Sequence, residues 1–314
     1  MISILTCPKP FVGHIGIIQN NALRSWRALG DDVEIFLCGE EDGIPEAAEQ
    51  FGAIHLHETE RNSYGTPLLN SAFAEVAKRS SWDRICFVNT DIIVPKSILQ
   101  VAQLVDDERT MVVGDRLNVD ITEPIEFGDS ATHECVDRLG SNAPLNGGYG
   151  SDYFLFHQGS GLAELPGFAV GRPGWDNWML YRARQLGHRL INGTDFLKVI
   201  HQNHDYRHVP EGTGDQWQGP EADENHRIVE GTPMFHLLDC THSLTPNCGV
   251  KKIRSLLHFL RHCETYPLLN PEHVKRAKLL CAIRNRLPSR LQFGGLEPDL
   301  YGSRIPVGHF KVTS

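Results

Sequence analysis

The sequence predicts an α/β fold with a mostly parallel central sheet, helices on both faces and a helical extension at the C-terminus. In the first third of the chain, short apolar runs alternate with stretches of helical periodicity, which is the pattern of β–α units. The run Arg84–Val88 is almost wholly apolar, as expected of a central strand that is covered on both faces. No GxGxxG follows the first apolar run, which disfavours a dinucleotide-binding Rossmann domain.

Local signals predict each element of this first part. Residues 18–29 carry apolar side chains at helical spacing, and this helix is expected to end at Gly30. Residues 69–76 repeat in the same way, and Thr66-Pro67 ahead of them would supply a cap and a first-position proline. The predicted strands are Ile2–Thr6, Val33–Cys38, 53–56, Arg84–Val88 and Thr110–Gly114. Two further helices are predicted over Ile44–Phe51 and 95–105.

The rest of the chain is less regular. Its predicted elements are a helix near 132–139, a strand over 152–157, a helix over 173–186, and two strands over 188–192 and 196–200. Residues 207–233 are rich in Gly, Pro and acidic residues, with Trp217 isolated among polar neighbours as a candidate lid residue or local packing anchor. We therefore expect a main domain over 1–205, a loop-rich lid or connector over 206–250, and a basic helical extension over 251–314.

Composition and charge exclude several classes of protein. The 314 residues are 40% hydrophobic and 22% charged, which excludes a disordered chain, a collagen and a coiled coil. The net charge of −9 argues against a nucleic-acid partner. No run approaches the roughly 18 apolar residues of a membrane span, and the first residues do not read as a signal peptide. The eight cysteines are scattered without a CxxC, so we expect a reducing, cytoplasmic location.

One region is basic, although the chain as a whole carries a net negative charge. Residues 251–290 contain ten Lys or Arg and only two acidic residues. This surplus suits a solvated helical face, which is the more common case. It also suits peripheral contact with the anionic inner face of a membrane. Both interpretations stay open from the sequence.

Polar residues follow two of the predicted strands. Ligands of open α/β sheets bind at the carboxyl ends of the strands. Thr6, Pro8 and Lys9 follow the first strand, and Asn89-Thr90-Asp91 follows the fourth. A carboxylate that emerges from a buried strand beside other polar side chains is a plausible ligand of a divalent cation, although Asp91 could equally cap the following helix.

Three segments, taken in order, resemble those of a known enzyme family. FVNTDIIV (87–94) resembles the DxD region of the GT-A glycosyltransferases, which use a nucleotide-sugar donor. GRPGWDNW (171–178) resembles the acceptor-side motif of that family. VIHQNHD (199–205) resembles the metal-ligand strand of its inverting galactosyltransferases. The resemblance covers residues 1–205 and extends to uncharacterised bacterial glycosyltransferase-like chains.

The resemblance implies a role for each segment. Asp91 corresponds to the last Asp of DxD, which holds Mn²⁺ or Mg²⁺ on the donor diphosphate, while Asn89 stands in place of the first Asp. Asp176 corresponds to the acidic residue that serves as base in inverting enzymes. His204 is the better match for the metal-ligand histidine and His201 the second. In a continuous strand these two histidines would point to opposite faces, so at most one should face the metal.

The residue types suit glycosyl transfer from a UDP- or GDP-linked sugar to a hydroxyl acceptor. Negative charge builds on the departing diphosphate, and a divalent cation neutralises it without a proton. Oxygen and imidazole ligands together suit Mn²⁺ or Mg²⁺, and imidazole favours the former. The acceptor hydroxyl loses a proton as it attacks, which requires a base such as Asp176 within hydrogen-bond reach. The helix dipole would lower the pKa of Asp176, whereas burial against Trp175 would raise it.

The resemblance also suggests a wider donor pocket. Its candidate residues are Thr6, Pro8, Lys9, Gly65, Thr66, Asn89, Thr90, Asp91, Ser151, Asp152 and Trp175. Amides at the start of the third helix, near Thr66, could face the donor, although a plain helix cap explains this residue equally well. Asp152, after the glycine-rich stretch 147–150, is a candidate partner of a sugar hydroxyl, with a tight turn as the alternative.

Several functions remain open from the sequence. The first is an inverting, metal-dependent glycosyltransferase that builds a surface polysaccharide, a lipid-linked glycan or a small glycoside. A retaining enzyme, in which Asp176 would position the acceptor, is the second. A nucleotidyltransferase would normally show a basic, glycine-rich loop after strand one, where only Lys9 is present. A non-catalytic module that binds carbohydrate or nucleotide sugar stays possible because Asn89 replaces a carboxylate.

Overall fold

A computed structural model of the chain describes residues 1–128, 140, 143–145, 151–204, 219–230, 235–269, 279 and 286. Within these ranges the strands form one nine-stranded and one three-stranded sheet, and helices flank the large sheet. The predicted α/β fold with a mostly parallel central sheet is confirmed. The predicted helix near 132–139, the glycines of 147–150 and Trp217 lie outside the described residues.

The elements have the following bounds. The strands are β1 (Ile2–Thr6), β2 (Val33–Cys38), β3 (Ile54–Leu56), β4 (Arg84–Val88), β5 (Ile92–Ile93), β6 (Thr110–Gly114), β7 (Arg116–Val119), β8 (Tyr153–His157), β9 (Arg189–Asn192), β10 (Val199–Gln202), β11 (His242–Leu244) and β12 (Val250–Lys252). The helices are α1 (Gly13–Arg27), α2 (Ile44–Phe51), α3 (Leu69–Arg79), α4 (Ile98–Ala102), α5 (Trp175–Gln185), α6 (Pro220–Ile228) and α7 (Leu256–Thr265).

The direction of the strands determines which loops meet. The large sheet has the order β12-β11-β9-β6-β8-β4-β1-β2-β3, in which β8 runs antiparallel to both β4 and β6 and β12 antiparallel to β11. The remaining neighbours are parallel. The carboxyl ends of β1 and β4 and the amino end of β8 therefore lie at the same edge, which we call the upper edge. The amino ends of β9 and β11 lie at the opposite, lower edge.

A separate three-stranded sheet lies at the upper edge. It has the order β5-β10-β7, with β10 antiparallel to β5 and parallel to β7. Only three residues separate the end of β4 from the start of β5, so the chain passes directly from one sheet into the other. This passage places the segment 89–91 between the two sheets.

Two apolar layers hold the large sheet between its helices. On one side, α1, α2 and α4 cover a core that includes Trp26, whose Nε1 donates to the carbonyl of Ile92 at 3.0 Å. On the other side, α3 and α5 cover a core that includes Phe73 and Trp175. Apolar burial on both faces explains why the central strands read as continuous apolar runs.

The boundaries predicted from the sequence are confirmed for several elements and wrong for others. β1, β2, β4, β6 and α2 have the predicted bounds. α3 begins at Leu69 and has no side-chain cap, because Pro67 and Leu68 are engaged in bridges to Arg61 and Ala169. The helix predicted over 95–105 is confined to Ile98–Ala102, since the turns that flank it close through tighter i to i−3 hydrogen bonds.

The segments after residue 205 add to the large sheet. β11, from the segment 206–250, pairs with β9 of the main domain. β12, at the junction with the segment 251–314, pairs with β11, so both strands extend the large sheet. α7 follows β12 and leaves Leu256 and Phe259 exposed, and Tyr266, just after the helix, is exposed as well. None of the helices in the described part of the chain has the length and apolar character needed to cross a bilayer.

Because His236 is buried, we expect the folded protein to lose stability in acid. Burial lowers the pKa of His236 to about 4, with a further contribution from Arg261, although Asp239 opposes the shift. Its Nδ1 accepts a hydrogen bond from the backbone N–H of Leu238 at 3.3 Å, which requires a neutral ring. The stabilisation is fully present above the ordinary pKa of about 6.5 and is lost as the pH falls toward 4.

We expect the free energy of unfolding to fall by about 2–3 kcal/mol through this group between pH 7 and pH 4. Urea unfolding at several pH values measures this change. His236→Asn keeps a short polar side chain but should show a flatter pH dependence than the wild type over this interval. Equal slopes for the two proteins would contradict the assignment.

Candidate functional site

The candidate site lies where the chain leaves β4 and enters β5. Asp91 occupies this passage, immediately before Ile92 of β5. Its main-chain carbonyl accepts hydrogen bonds from the backbone N–H of Gln202 at 3.1 Å and from Nε2 of Gln202 at 3.2 Å. The pairing of β5 with β10 sets His201 opposite Ile92. The backbone therefore holds Asp91 beside His201.

Three side chains of metal-ligand type converge at this point. The carboxylate Oδ2 of Asp91 lies 3.1 Å from Nε2 of His204 and 3.6 Å from Nε2 of His201. The side chains of His204 and His201 are 2% and 6% exposed, and that of Asp91 is 18% exposed. One ligand atom from each residue lies within 4.8 Å of the others. These three residues form what we call the Asp91 cluster.

The two histidine side chains are not directed as the sequence led us to expect. Strand spacing predicted that at most one of them would face a metal, but both contact the same carboxylate oxygen. The reason is that β10 ends at Gln202, so His204 lies beyond the strand. The alternation of side chains between two faces does not extend to His204.

Asp91 does not cap a helix. α4 begins at Ile98 and its N-cap residue is Ser97. Burial raises the pKa of Asp91, but hydrogen bonds and charges from His201 and His204 outweigh it and hold the pKa well below its ordinary range. Asp91 is therefore an ionised carboxylate near neutral pH.

The chemistry of the cluster fits a divalent cation. Oδ1 of Asp91 is buried and has no hydrogen-bond partner among the residues that the structure describes. A buried carboxylate oxygen is costly to leave unsatisfied, and a cation is one ligand that would satisfy it. One carboxylate and two imidazoles form a donor set that suits Mn²⁺. The same contacts also suit an ion pair between Asp91 and a protonated histidine.

The end of β1 lies beside the end of β4. Oγ1 of Thr6 and Oγ1 of Thr90 are 2.7 Å apart and both residues are buried. The main chain of Lys9 is held on both sides by Gln19, which accepts from its N–H at 2.7 Å and donates to its carbonyl at 2.8 Å. The predicted strand exits therefore meet at the upper edge.

Lys9 and Arg172 bring positive charge near the Asp91 cluster. Burial lowers the pKa of Lys9, the carboxylate of Asp91 raises it, and the guanidinium of Arg172 lowers it. These effects mean that Lys9 lies within electrostatic reach of both groups. The sequence singled out Lys9 but gave Arg172 no role.

Asp152 joins the same environment from β8. It is 4% exposed, and its Oδ1 accepts a hydrogen bond from Nη1 of Arg116 at 2.6 Å. Burial raises the pKa of Asp152 to about 6; Arg116 lowers it and the negative charge of Asp91 raises it further. Because β8 enters the sheet at the upper edge, Asp152 comes to lie near the Asp91 cluster. Ser151, just before it, is also buried.

Asp176 lies in the first turn of α5. Trp175 fixes this turn against the large sheet, with its ring centroid 4.8 Å from those of Phe87 on β4 and Phe154 on β8. Burial raises the pKa of Asp176, and backbone hydrogen bonds oppose the shift, including one from the N–H of Asn177. The net effect is that the pKa of Asp176 is raised, because burial is stronger than the opposing backbone hydrogen bonds.

No hydrogen bond or ion pair joins Asp176 to the Asp91 cluster in the part of the chain that the structure describes. Trp175 packs against β4 and β8, the strands next to Asp91 and Asp152 in the chain. That Asp176 shares a cleft with the Asp91 cluster stays a prediction.

A polar network ties the loop before α3 to the loop before α5. Glu221 accepts from Nε of Arg172 at 2.7 Å and from Nδ2 of Asn62 at 2.8 Å. The Oδ1 of Asn62 accepts from the backbone N–H of Thr66 at 3.0 Å, and the carbonyl of Gly65 accepts from Nη1 of Arg61 at 2.6 Å. Thr66 therefore belongs to a loop that hydrogen bonds connect to Arg172 through Glu221.

Sequence reasoning missed several residues of this region. Gln202 lies within the quoted segment 199–205, and Arg172 lies within 171–178, so adjacency to a motif could have identified both. Arg116 and Glu221 carry no local signal. Their contacts with Asp152 and Arg172 span 36 and 49 residues of sequence, and only the fold brings these pairs together.

Comparison with known proteins gives likeness to solved structures only. No protein-family model and no curated protein matches the chain. It is similar to glucosyl-3-phosphoglycerate synthase from Mycobacterium tuberculosis in complex with Mg²⁺ and uridine diphosphate, at 15% identity and a TM-score of 0.43, over 73% of this chain and 78% of that one.

Two further solved structures are similar at comparable levels. One is a mannosyltransferase from Pyrobaculum calidifontis in complex with GDP-Man and Mn²⁺, at 14% identity and a TM-score of 0.41, over 92% of this chain and 76% of that one. The other is TarS from S. aureus in complex with UDP-GlcNAc, at 11% identity and a TM-score of 0.44, over 92% of this chain and 82% of that one.

Proposed function

We propose that this protein is a metal-dependent glycosyltransferase that moves a sugar from a UDP- or GDP-linked donor to a hydroxyl acceptor. The acceptor is a glycan, a lipid-linked glycan or a small glycoside. Asp91, His204 and His201 hold Mn²⁺ or Mg²⁺, and Asp176 is the base of an inverting reaction. The observation that carries the proposal is the convergence of these three ligand-type side chains at the end of a buried central strand.

The residues around the Asp91 cluster favour the binding of an anionic donor. A divalent cation bound there would neutralise the charge that builds on the departing diphosphate. Lys9 and Arg172 add positive charge on the same side, which favours a diphosphate over a neutral ligand. We assign the amide of Asn89 to orient the donor at the upper edge, beside the point where the buried hydroxyls of Thr6 and Thr90 join the ends of β1 and β4.

Asp176 is suited to accept the proton of the acceptor hydroxyl. A carboxylate with a raised pKa is a stronger base than an exposed one, provided that it is ionised at the working pH. Half-burial of Asp176 in a helix turn fixed by Trp175 raises its pKa, and the backbone hydrogen bond from the N–H of Asn177 favours its ionised form. In a retaining enzyme, the alternative, the same residue would position the acceptor.

Asp152 is the candidate partner of a sugar hydroxyl. Its Oδ2 is buried and has no hydrogen-bond partner among the described residues, while Oδ1 is held by Arg116. An oriented carboxylate with one unused oxygen accepts well from a hydroxyl donor. We assign Asp152 and Ser151 to the pocket of the donor sugar.

A screen of nucleotide-sugar hydrolysis with Mn²⁺ tests the proposed activity. The protein is offered UDP- and GDP-linked sugars with Mn²⁺, with Mg²⁺, and with a chelator, and the release of UDP or GDP is measured. We expect release with one nucleotide class, in the presence of the metal only. Binding of UDP or GDP without turnover toward any offered acceptor would instead favour the non-catalytic module, which the presence of Asn89 keeps open. Absence of both binding and release would overturn the proposal.

A further inference from the structure

A second cleft lies at the lower edge of the large sheet, away from the Asp91 cluster. It has a volume of about 790 Å³ and opens between the amino ends of β9 and β11, the end of β12 and the start of α7. Arg184, at the C-terminal end of α5, lines it, whereas Asp176 occupies the first turn of the same helix. Arg184 comes eight positions after Asp176, a separation of roughly 12 Å along the helix axis. The cleft is therefore a separate site.

The charged residues that line the cleft are almost all basic. They are Arg184, Arg189, Lys252 and Arg254. Four histidines, His188, His242, His258 and His262, also line the cleft, and burial lowers the pKa of each, which favours the neutral ring. Among the described lining residues only Asp239 is acidic, and Arg261 binds both of its carboxylate oxygens at 2.8 and 2.9 Å. The cleft is thus electropositive.

Two of these cations are exposed and available to a bound anion. Neither Lys252 nor Arg254 has an acidic group within ion-pair distance in the part of the chain that the structure describes. Burial, followed by the charges of Arg189 and Lys252, lowers the pKa of His242. Arg189 is already paired with Asp107 at 3.0 Å, so Lys252 and Arg254 are the cations that a bound anion would meet.

The start of α7 adds donors to the same cleft. Ser255 is the N-cap of this ten-residue helix, and Ser255, Leu256 and His258 all line the cleft. The Oγ of Ser255 already accepts from the N–H of His258 at 3.2 Å, so the helix dipole and the earlier N–H groups of the first turn are what would favour an anion. This observation is independent of the side-chain charges.

The walls of the cleft are apolar. Leu238, Ile253, Leu256 and Phe259 line it, and the last two are 66% and 63% exposed. Large apolar side chains at this degree of exposure indicate contact with an apolar ligand when they adjoin a binding cleft.

We infer that the cleft binds an amphiphile with a phosphoryl head group and a hydrocarbon body. The head group lies among Lys252, Arg254 and the first turn of α7, and the hydrocarbon body lies on Leu256 and Phe259. A phosphoryl group is favoured over a carboxylate because its additional oxygens match the larger number of donors. This inference does not depend on the proposed transferase activity, because the cleft is at the opposite edge of the sheet.

Isothermal titration of the full chain with monododecyl phosphate, inorganic phosphate and dodecyl maltoside tests this inference. We expect the dodecyl phosphate to bind most tightly, since it satisfies both the charges and the apolar walls. Lys252→Gln combined with Arg254→Gln should weaken its binding by about tenfold or more, since the head group loses two cationic partners. Phe259→Ser should weaken dodecyl phosphate and leave inorganic phosphate unchanged.

Lys251→Gln is the matched control, because Lys251 is the neighbour of Lys252 on β12 but does not line the cleft. We expect this variant to bind dodecyl phosphate as the wild type does. Equal loss in Lys251→Gln and in the double variant would show a diffuse charge effect and overturn the inference. Equal binding of dodecyl maltoside, equal binding of inorganic phosphate, or no binding of dodecyl phosphate would also overturn it.

Discussion

Asp91→Asn is expected to reduce turnover of the nucleotide-sugar donor by about a thousandfold or more, because several kcal/mol of charge stabilisation depend on the bound cation. The amide has nearly the size of the carboxylate but lacks its negative charge. His201 and His204 would then remain without the anionic member of the cluster. The measurement is the release of nucleotide under saturating Mn²⁺, together with the Mn²⁺ concentration that gives half of the maximal rate.

Asp195→Asn is the control for this experiment. Asp195 is an exposed carboxylate that follows β9, so it lies toward the same edge of the sheet without belonging to the cluster. It should retain wild-type turnover and the wild-type dependence on Mn²⁺. If Asp91→Asn retained more than about a tenth of the activity, a loss worth only about 1.4 kcal/mol, the role of Asp91 as the anionic metal ligand would be wrong.

Asp176→Asn is expected to reduce turnover by about a hundredfold to ten-thousandfold, which is the range contributed by a general base. The amide cannot accept the proton of the attacking hydroxyl. Donor binding should change little, and the melting temperature should stay close to that of the wild type. The measurements are kcat with saturating donor, the Kd for the nucleotide and a thermal melt.

An ordinary role at the helix terminus predicts the reverse pattern. Loss of a favourable charge in the first turn costs about 1 kcal/mol of stability and leaves turnover intact. Asp223→Asn provides the comparison, since Asp223 is an exposed acidic residue in the first turn of α6. If Asp176→Asn resembled Asp223→Asn in both activity and stability, Asp176 would not be the base.

The central part of the fold could be predicted from the sequence because its strands are apolar on both faces. Arg84–Val88 is apolar after its first residue and Val33–Cys38 is apolar apart from Glu34, and the bounds of both agree with the structure to the residue. The short strands Ile92–Ile93 and Arg116–Val119 have no such signal. They exist because β10 pairs with both of them, and this pairing is a long-range event.

The same distinction applies to the candidate site. Asp91 could be singled out because it follows a buried strand, which is a local feature of the sequence. The joint contact of His201 and His204 with Asp91 could not, because it depends on β10 ending at Gln202 and on the antiparallel pairing with β5. The contact between Arg116 and Asp152 depends in the same way on β8 entering the sheet beside β6 and β4.

Titration of Mn²⁺ into the protein, followed by the electron paramagnetic resonance signal of free Mn²⁺, tests the central claim most directly. With UDP or GDP present, we expect the wild type to remove Mn²⁺ from solution at one site, Asp91→Asn and His204→Asn to lose this binding, and Asp195→Asn to retain it. Unchanged Mn²⁺ binding in Asp91→Asn, or no binding by the wild type with either nucleotide, would contradict a cation site at the end of β4.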